Sequence, residues 1–531
     1  MIKEKKYLLY GIGLVLLTLI GVTFAYFSTQ IVGNRKNVTI NTTDLRIIFT
    51  NGDSITGDNI GPGWSITKTF SVENKTKSDY KYNIVIKDLL NNFVTEGYLQ
   101  YKITSSNGYN MSDFEDVPKR SSANDTTLAY NINISSRSLQ EYTIVVQYKN
   151  DEGKDQSVDM AKTLSGKLFI AEGTEEPTLK EAMLRDNTTI SERTGNDFYG
   201  SIDEDTTGTI FQTNKTEDGN TVYYYAGKTT NNWVKFGKYN TNDTSDLNLW
   251  QIGNDMYWKI IRTNEDGSIR ILYSGTSPDT TSGYVGISKY NENFNDPMFV
   301  GYMYGTTGSL ENNRTNTNHS TIKTAIDTWY KNSLLTNYDK YISKSTIYCN
   351  DRSVGSGTYN TGNTEFYYSG NIRLFSNKVP SYKCGSNVSD GLFETTQAIA
   401  DKFSANTSGG GNGQLTYPVA LMTADELLFA GEFPYTSYCV GWACNNSNGL
   451  PNFGKSNYSS WLLTPKEYYN GISFMFAQIG ERRMNDLGGK APVTYEATIR
   501  PVISLSSCVK VKSGNGTPES PYEVDYTGSC N

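Results

Sequence analysis

The sequence predicts a β-rich protein of several domains, in which a transmembrane or signal helix precedes an antiparallel β-sandwich and an α+β domain. Three observations predict this organisation. An uncharged run opens the chain, short stretches of alternating apolar and polar residues follow, and strand, helix and strand patterns then succeed one another. The expected parts are a transmembrane anchor or signal segment at 1–30, the β-sandwich at 37–172, a linker at 173–178 and the α+β domain at 179–531.

The uncharged run extends from Tyr7 to Phe27 and follows three lysines. As a helix it would reach about 31 Å, which is enough to cross the hydrocarbon core of a bilayer. Thr23 and Ala25 are small residues at the positions that a signal peptidase reads, so cleavage after Ala25 is the alternative. Length favours the anchor, and the lysines place the N-terminus in the cytoplasm. We therefore expect the rest of the chain outside the cytoplasm, held at the cell membrane or secreted to the cell surface.

Composition restricts the partners of the protein. The formal net charge is −7, and no basic stripe follows residue 36. Phosphate backbones are bound by clustered lysines and arginines, so a nucleic-acid partner is not expected. The expected partners are the lipid membrane, through residues 7–27, and a ligand outside the cell.

The first domain is predicted from stretches in which apolar residues alternate with polar ones. In "SITKTFSVEN" (65–74), for example, Ile66, Phe70 and Val72 share one face of a strand. A period of two with turn-rich spacers is typical of antiparallel strands in a sandwich. The acidic, proline-bearing "GTEEPT" predicts the linker. The predicted strands are 45–50, 65–74, 80–89, 99–106, 141–149 and 167–172.

Four segments of this part resemble the TasA/camelysin type of exported β-sandwich: "GVTFAYFSTQ", "NTTDLRIIF", "IGPGWSITKTFSVENKTKSDYKYNIVI" and "SGKLFIAE". The resemblance covers about residues 10–172. It implies export, often with processing by a dedicated signal peptidase, and a cut just after Ala25. For some members it also implies assembly into surface fibres, hence self-association through the sandwich.

The second domain combines helices with strands. The clearest unit is "MYWKIIRTNEDGSIRILYSG" (256–275), because Asp266-Gly267 is a strong hairpin signal between two apolar strands. Ser320 is a plausible N-cap for a helix, and Thr423 with Glu426 forms a capping box. The predicted helices are 179–187, 320–335, 392–403 and 423–431, and the later strands are 461–465, 472–480 and 498–505.

This order of elements, with its particular motifs, resembles a C-type-lectin-like surface domain family of undescribed function from gut Gram-positive bacteria. The motifs are "NNWVKF", "MYWKIIRTNEDGSIRILYSG", "YPVALMTADELLFAG", "SWLLTP", "IRPVISL" and "SGNGTPESPYEV". They cover about residues 220–524. The resemblance implies a lectin-like architecture, which hosts enzymes, glycan binders and phage receptors alike.

Six cysteines indicate disulfides, because their number is even and the segment is expected outside the cytoplasm. We expect sequential pairing, which closes three short loops. Free thiols are the alternative, and a zinc site is not expected because the chain has one histidine and no C-x-x-C pair. The expected pairs are Cys349–Cys384, Cys439–Cys444 and Cys508–Cys530.

Catalytic, metal and cofactor sites are not predicted, and we do not expect an enzyme. His319 stands in a polar loop and is interpreted as a solvated side chain. Asp203 and Asp205 resemble the opening of a calcium loop, but the twelfth position is Asn214 instead of glutamate, so an ordinary turn is favoured. Paired carboxylates of a glycoside hydrolase stay open as an alternative.

The loop "YTSYCVGWACNNSNGLPNFGKSNYSSW" (435–461) is the candidate recognition site. Large amphipathic side chains among glycine, serine and asparagine suit recognition by stacking and hydrogen bonding. Trp442 is the main candidate because its neighbours are small. The alternative is that Trp461 opens a core strand and the tyrosines cover it. The predicted ligand-binding residues are Tyr438, Trp442, Tyr458 and Trp461.

Together these features predict an exported bacterial cell-surface binding protein, an adhesin or a receptor for glycan or protein ligands. A structural subunit of a surface fibre or biofilm matrix is the first alternative. A glycan-acting hydrolase is the second.

Overall fold

The computed structural model describes residues 37–527 and Cys530, with internal gaps. The predicted membrane or signal segment at 1–30 lies outside these residues, as does the cleavage position after Ala25. Within the described part of the chain, no helix is long and apolar enough to cross a membrane. The gaps are 43–44, 52–54, 57–59, 96, 199–201, 203, 242–250, 279–282, 363–364, 386–399, 432–458 and 479–489.

The protein is β-rich, with 41% of the residues in strands and 14% in helices. The strands are arranged in several sheets. The chain divides into two compact units, residues 1–175 and 176–531. The division falls inside the segment interpreted as a linker.

The strands of the first unit are all paired antiparallel. They are β1 (Asn37–Thr42), β2 (Leu45–Asn51), β3 (Ile55–Thr56), β4 (Ser65–Asn74), β5 (Tyr80–Asn91), β6 (Leu99–Ser105), β7 (Glu115–Asp116), β8 (Arg120–Ile134), β9 (Leu139–Tyr148) and β10 (Leu164–Glu172).

These strands form two sheets, ordered β1-β2-β4-β9-β6-β7 and β3-β10-β5-β8. Both sheets contribute to one hydrophobic core, with Phe70 and Ile144 from the first and Ile84 and Leu168 from the second. Two antiparallel sheets that share a core form a β-sandwich. In the second half of β4 the buried residues alternate with partly buried ones, and Phe70 and Val72 face inward as the pattern predicts.

The second unit continues with shorter strands. They are β11 (Thr189–Glu192), β12 (Thr209–Thr213), β13 (Val222–Tyr224), β14 (Trp233–Lys238), β15 (Asp255–Thr263), β16 (Ile269–Tyr273), β17 (Gly286–Lys289), β18 (Met303–Tyr304), β19 (Asn318–His319), β20 (Tyr348–Asp351), β21 (Val354–Ser356), β22 (Phe366–Tyr368), β23 (Ala400–Ser404), β24 (Gly413–Gln414), β25 (Ala420–Leu421), β26 (Ser460–Tyr469), β27 (Ile472–Gln478), β28 (Lys490–Pro492), β29 (Glu496–Ile499), β30 (Pro501–Leu505), β31 (Val511–Ser513) and β32 (Tyr522–Val524).

Its helices are short, apart from one. The α-helices are α1 (Leu179–Asp186), α2 (Leu310–Asn313), α3 (Thr321–Ser333), α4 (Ser369–Asn371), which continues into a π turn (Ile372–Ser376), and α5 (Ala424–Phe429). Single 3₁₀ turns occur at Ser157–Asp159 in the first unit and at Gly195–Phe198, Pro297–Val300, Asp339–Tyr341 and Thr407–Gly409 in the second.

Two large sheets organise the second unit. One contains the path β11-β12-β13-β15-β14-β32-β31, to which β16, β30 and β25 are added, and the other contains β17-β29-β26-β22-β21 with β27 and β28. A single apolar cluster packs between them and includes Trp258, Ile326 and Trp461. This α+β arrangement has its own core, separate from that of the first unit.

The helix predicted at 392–403 is wrong for its last four residues. Residues 392–399 lie outside the described part, and β23 pairs antiparallel with β20. Phe403 is fully buried, and Asp401 forms ion pairs with Arg314 and Arg352. These tertiary contacts override a helical pattern in the sequence.

Candidate functional site

Most of the recognition loop predicted from the sequence lies outside the described residues. This holds for Tyr438, Trp442 and Tyr458. Trp461 is described, and its side chain is only 1% exposed in β26. Its indole N–H donates to the carbonyl of Ser288 at 2.8 Å. This burial favours the alternative in which Trp461 belongs to the core strand, and its contact with a ligand stays a prediction.

The two disulfides of the described residues match sequential pairing. Cys349 is bonded to Cys384 and Cys508 to Cys530, whereas Cys439 and Cys444 lie outside the described part. Both bonds belong to the second unit. Disulfides are stable in oxidising compartments, which is consistent with the predicted location outside the cytoplasm.

The residues considered for calcium or catalysis show ordinary local surroundings where they are described. Asp203 lies outside the described residues, and the Asp205 carboxylate accepts from the backbone N–H of Thr207 at 2.9 Å. His319 is exposed in β19, and partial burial of its ring with the nearby Lys323 ammonium lowers the pKa of the imidazole. Among the described side chains, no group of three or more histidine, cysteine, aspartate or glutamate residues could hold a metal ion.

A cavity of about 230 Å³ with many charged residues in its lining lies in the second unit. The carboxylates of its lining outnumber the cations. The segments that carry these charged residues lie far apart in the sequence. The charged lining residues are Glu217, Asp218, Glu265, Asp266, Asp351, Asp425 and Glu426 with Arg262, Arg270, Arg373 and Lys383.

The hairpin of β15 and β16 places two arginines at this cavity. Arg262 and Arg270 are register partners across the two strands, so their side chains leave the same face of the sheet. The turn between the strands contains Asp266-Gly267, and Gly267 has a φ of +80°. Glycine adopts this left-handed conformation without a steric penalty, which explains the tight turn.

Glu426 lines the cavity and pairs with both arginines. Its Oε1 accepts from Arg270 Nη1 at 2.6 Å and from Arg262 Nε at 3.2 Å. Its Oε2 accepts from the backbone N–H of Thr423 at 3.0 Å and completes the predicted capping box of α5. Burial opposes ionisation, but the two guanidinium groups hold the pKa of the Glu426 carboxyl below its usual range. A carboxylate held ionised in this way is a poor general acid for glycoside hydrolysis.

A second ion pair stands beside the first. Arg373 donates from Nε and Nη2 to the two oxygens of Asp425, at 2.9 and 2.8 Å. Its Nη1 lies 3.7 Å from Asp351 Oδ2. The bidentate geometry fixes both side chains, so the polar wall is rigid before a ligand arrives.

The Cys349–Cys384 disulfide fastens the rim of the cavity. Cys349 itself lines the cavity, and the backbone N–H of Cys384 donates to Glu217 Oε1 at 2.6 Å. The other oxygen of Glu217 accepts from Lys402 Nζ at 2.6 Å. The disulfide therefore ties β20 to the segment around Cys384, whose backbone binds the rim carboxylate of Glu217.

Three buried side chains at the cavity each retain a polar atom without a hydrogen-bond partner among the described residues. These atoms are Arg270 Nε, Asn264 Oδ1 and Tyr382 Oη. Buried polar groups are normally paired, so these three atoms are exceptions within the residues that line the cavity.

The sequence does not predict this cavity. The capping box of Thr423 and Glu426 is confirmed, but the ionic partners of Asp425 and Glu426 lie far away in the sequence. The one available signal was the presence of charged residues in a largely apolar hairpin, among them Arg262 in "KIIRT" and Arg270 in "SIRIL". A buried arginine requires a carboxylate or carbonyl partner.

No protein-family model matches the chain, and no curated protein matches it significantly.

Proposed function

We propose that the chain is an exported, membrane-tethered bacterial surface protein that binds a glycan or a protein ligand outside the cell. In this proposal residues 37–172 form a TasA/camelysin-like β-sandwich and residues 179–531 a C-type-lectin-like binding domain. The sequence motifs support the two resemblances. The disulfides of the second unit and the uncharged run at 7–27 support export.

The cavity in the second unit is the observation that carries the binding function. Ligand sites are concave and largely formed in advance, with a few polar groups that fix the orientation of the ligand. Here Glu426 and Asp425 form ion pairs with Arg270 and Arg373 within the protein. The cavity wall therefore offers fixed polar groups, and a ligand does not need to compensate the charge of these two carboxylates.

A fibre subunit is the second candidate function, and one feature of the first unit favours it. The strand β8 is 15 residues long and pairs only with β5 among the described strands. A long edge strand offers unpaired N–H and C=O groups to a second copy of the chain. Under this function, the chain would assemble into larger species as its concentration rises.

The test of binding uses the oxidised full chain in detergent against a broad panel of glycans and host surface proteins. Saturable binding to a panel member is the expected result. Trp442→Ala measured alongside reports whether the predicted loop contributes. If no panel member binds and the chain assembles as its concentration rises, the fibre function is favoured instead.

A further inference from the structure

One end of the sandwich carries an exposed group of large aliphatic side chains, which we call the apolar end. It consists of Val94, Val158 and Met160, with side chains 50%, 54% and 74% exposed. Among the residues of the first unit whose side-chain exposure is described, Leu139 is the other large aliphatic residue of comparable exposure, at 45%. Grouped exposed apolar residues mark interaction surfaces more often than isolated ones do.

A buried carboxylate holds the apolar end together. Asp159 is 3% exposed and lies in the chain between Val158 and Met160. Its Oδ1 accepts from the backbone N–H of Val94 at 2.6 Å, and its Oδ2 accepts from the Tyr148 hydroxyl at 2.8 Å. These bonds therefore fix Val94 beside the turn that carries Val158 and Met160.

Aromatic residues belong to the same end of the sheet. The backbone N–H of Tyr148, the last residue of β9, donates to the carbonyl of Trp64 at 2.8 Å, and that of Lys149 donates to the carbonyl of Tyr98 at 2.8 Å. Trp64 and Tyr98 are partly buried. Aliphatic tips with tryptophan and tyrosine behind them are typical of surfaces that enter the interface of a bilayer.

Charge at this end is mixed. Lys119 Nζ donates to the carbonyl of Val94 at 2.5 Å, whereas Glu152 and Asp155 are exposed in the neighbouring turn. A strongly basic surface would indicate adsorption to anionic headgroups. The mixed charge instead favours insertion of the apolar side chains.

The direction of β1 indicates at which end of the sheet the tether enters the first unit. Asn37 pairs with Thr50 and Thr42 with Leu45, while Ile47 of β2 pairs with Asn74 at the far end of β4. The chain thus runs through β1 away from the apolar end. The uncharged run stops at Phe27, and ten residues of extended chain reach at most about 33–36 Å. A tether of this length keeps the first unit close to the bilayer.

We infer that the apolar end of the first unit inserts into the outer surface of the lipid bilayer beside the tether. The inference rests on the proposed membrane tether. It adds a second, peripheral contact that orients the sandwich relative to the bilayer.

The test reconstitutes the full chain in nanodiscs of phosphatidylcholine and phosphatidylglycerol, with and without brominated lipid. Met160→Trp places a reporter at the apolar end, and Leu139→Trp places a matched reporter at the start of β9, the opposite end of the sheet. We expect brominated lipid to remove roughly half of the emission that Met160→Trp adds, because interfacial side chains lie within reach of the acyl chains. The emission added by Leu139→Trp should be unchanged, and raised salt should not restore the quenched emission.

Each other outcome overturns the inference. Equal quenching of both reporters means that the bilayer does not distinguish the apolar end from the opposite end of the sheet. Quenching of neither, while the chain still copurifies with the nanodisc, means that the tether holds but the apolar end is free. Quenching that raised salt abolishes means electrostatic adsorption. Acrylamide quenching of the Met160→Trp emission gives a further outcome. If acrylamide quenches this emission at low but not at high protein concentration, the apolar end forms contacts between copies of the chain. Failure of the chain to copurify with nanodiscs overturns the tether itself, and it is separated from the other outcomes by size-exclusion chromatography.

Discussion

Glu426 combines a local and a long-range role in one carboxylate. One oxygen caps the helix α5 through Thr423, and the other accepts from Arg262 and Arg270. The first role is visible in sequence because Thr423 lies three residues away. The second role depends on a hairpin more than 150 residues upstream, and neither the spacing nor the composition of that hairpin identifies its partner.

Replacing Glu426 with glutamine is expected to destabilise the second unit by about 3–5 kcal/mol, because both guanidinium groups lose their buried counterion. The free energy of unfolding is measured by chemical denaturation, followed by tryptophan fluorescence. Glu519→Gln is the control, since Glu519 is exposed; we expect a change within about 0.5 kcal/mol there.

The same variant tests the pKa of the carboxyl. Because the pKa of Glu426 is lowered in the folded protein, its ionic contacts stabilise the fold above the unfolded-state pKa of about 4.3. This stability is lost as the pH falls through the lower folded value. The acid limb of the stability curve should therefore be shallower in Glu426→Gln than in the unchanged chain. Identical acid limbs would show that the arginines do not hold this carboxyl ionised.

At the scale of elements, local patterns predicted structure where they coincide with tertiary contacts. The strand 65–74 and the hairpin around Asp266-Gly267 were predicted because alternation and turn chemistry are encoded within a few residues. The strand β8 was missed because "RSSANDTTLAYNINI" is mostly polar and contains no long alternating run. It is a strand because β5 supplies its hydrogen-bond partners.

The segment before α1 forms backbone hydrogen bonds with residues 509–511 of the second unit. The carbonyl of Pro177 accepts from the backbone N–H of Val511 at 3.0 Å, and the N–H of Leu179 donates to the carbonyl of Val509 at 2.8 Å. Glu176 precedes these contacts. Burial and the neighbouring Asp525 carboxylate raise the pKa of Glu176 to about 8.

Glu176→Gln is expected to stabilise the second unit at pH 8. The raised pKa means that folding retains a proton which the unfolded chain releases above about pH 4.3. Stability is then fully present below that pH and is lost as the pH rises toward the folded value of about 8. The variant has no such loss, and because solvent screens this partly exposed group, its advantage should be reduced to the order of 1 kcal/mol at pH 8 and should vanish near pH 4. Denaturation series at the two pH values measure the difference, and an equal effect at both would contradict the expectation.

At the scale of the whole molecule, the two units have separate hydrophobic cores. Both disulfides of the described residues belong to the second unit. Separate cores predict separate unfolding transitions.

Reduction with dithiothreitol should therefore shift one transition and leave the other in place. Each disulfide is expected to contribute about 2–4 kcal/mol. Differential scanning calorimetry of the full chain in detergent, with and without reductant, measures both transitions. A single transition, or a joint shift of both, would mean that the units unfold as one.

The cavity of the second unit is the central element of the proposed function, and a plug at its lining tests it most directly. Ser345 lines the cavity and is partly buried, so Ser345→Trp would fill that side of the cavity with an indole. Ser191 on β11 is also partly buried but does not line the cavity, which makes Ser191→Trp a matched control. The measurement is titration of both variants with the ligand identified in the panel. Binding at the cavity predicts at least about a tenfold loss of affinity, or 1.4 kcal/mol, for Ser345→Trp and unchanged affinity for Ser191→Trp. Unchanged affinity in Ser345→Trp would contradict a ligand site in the cavity.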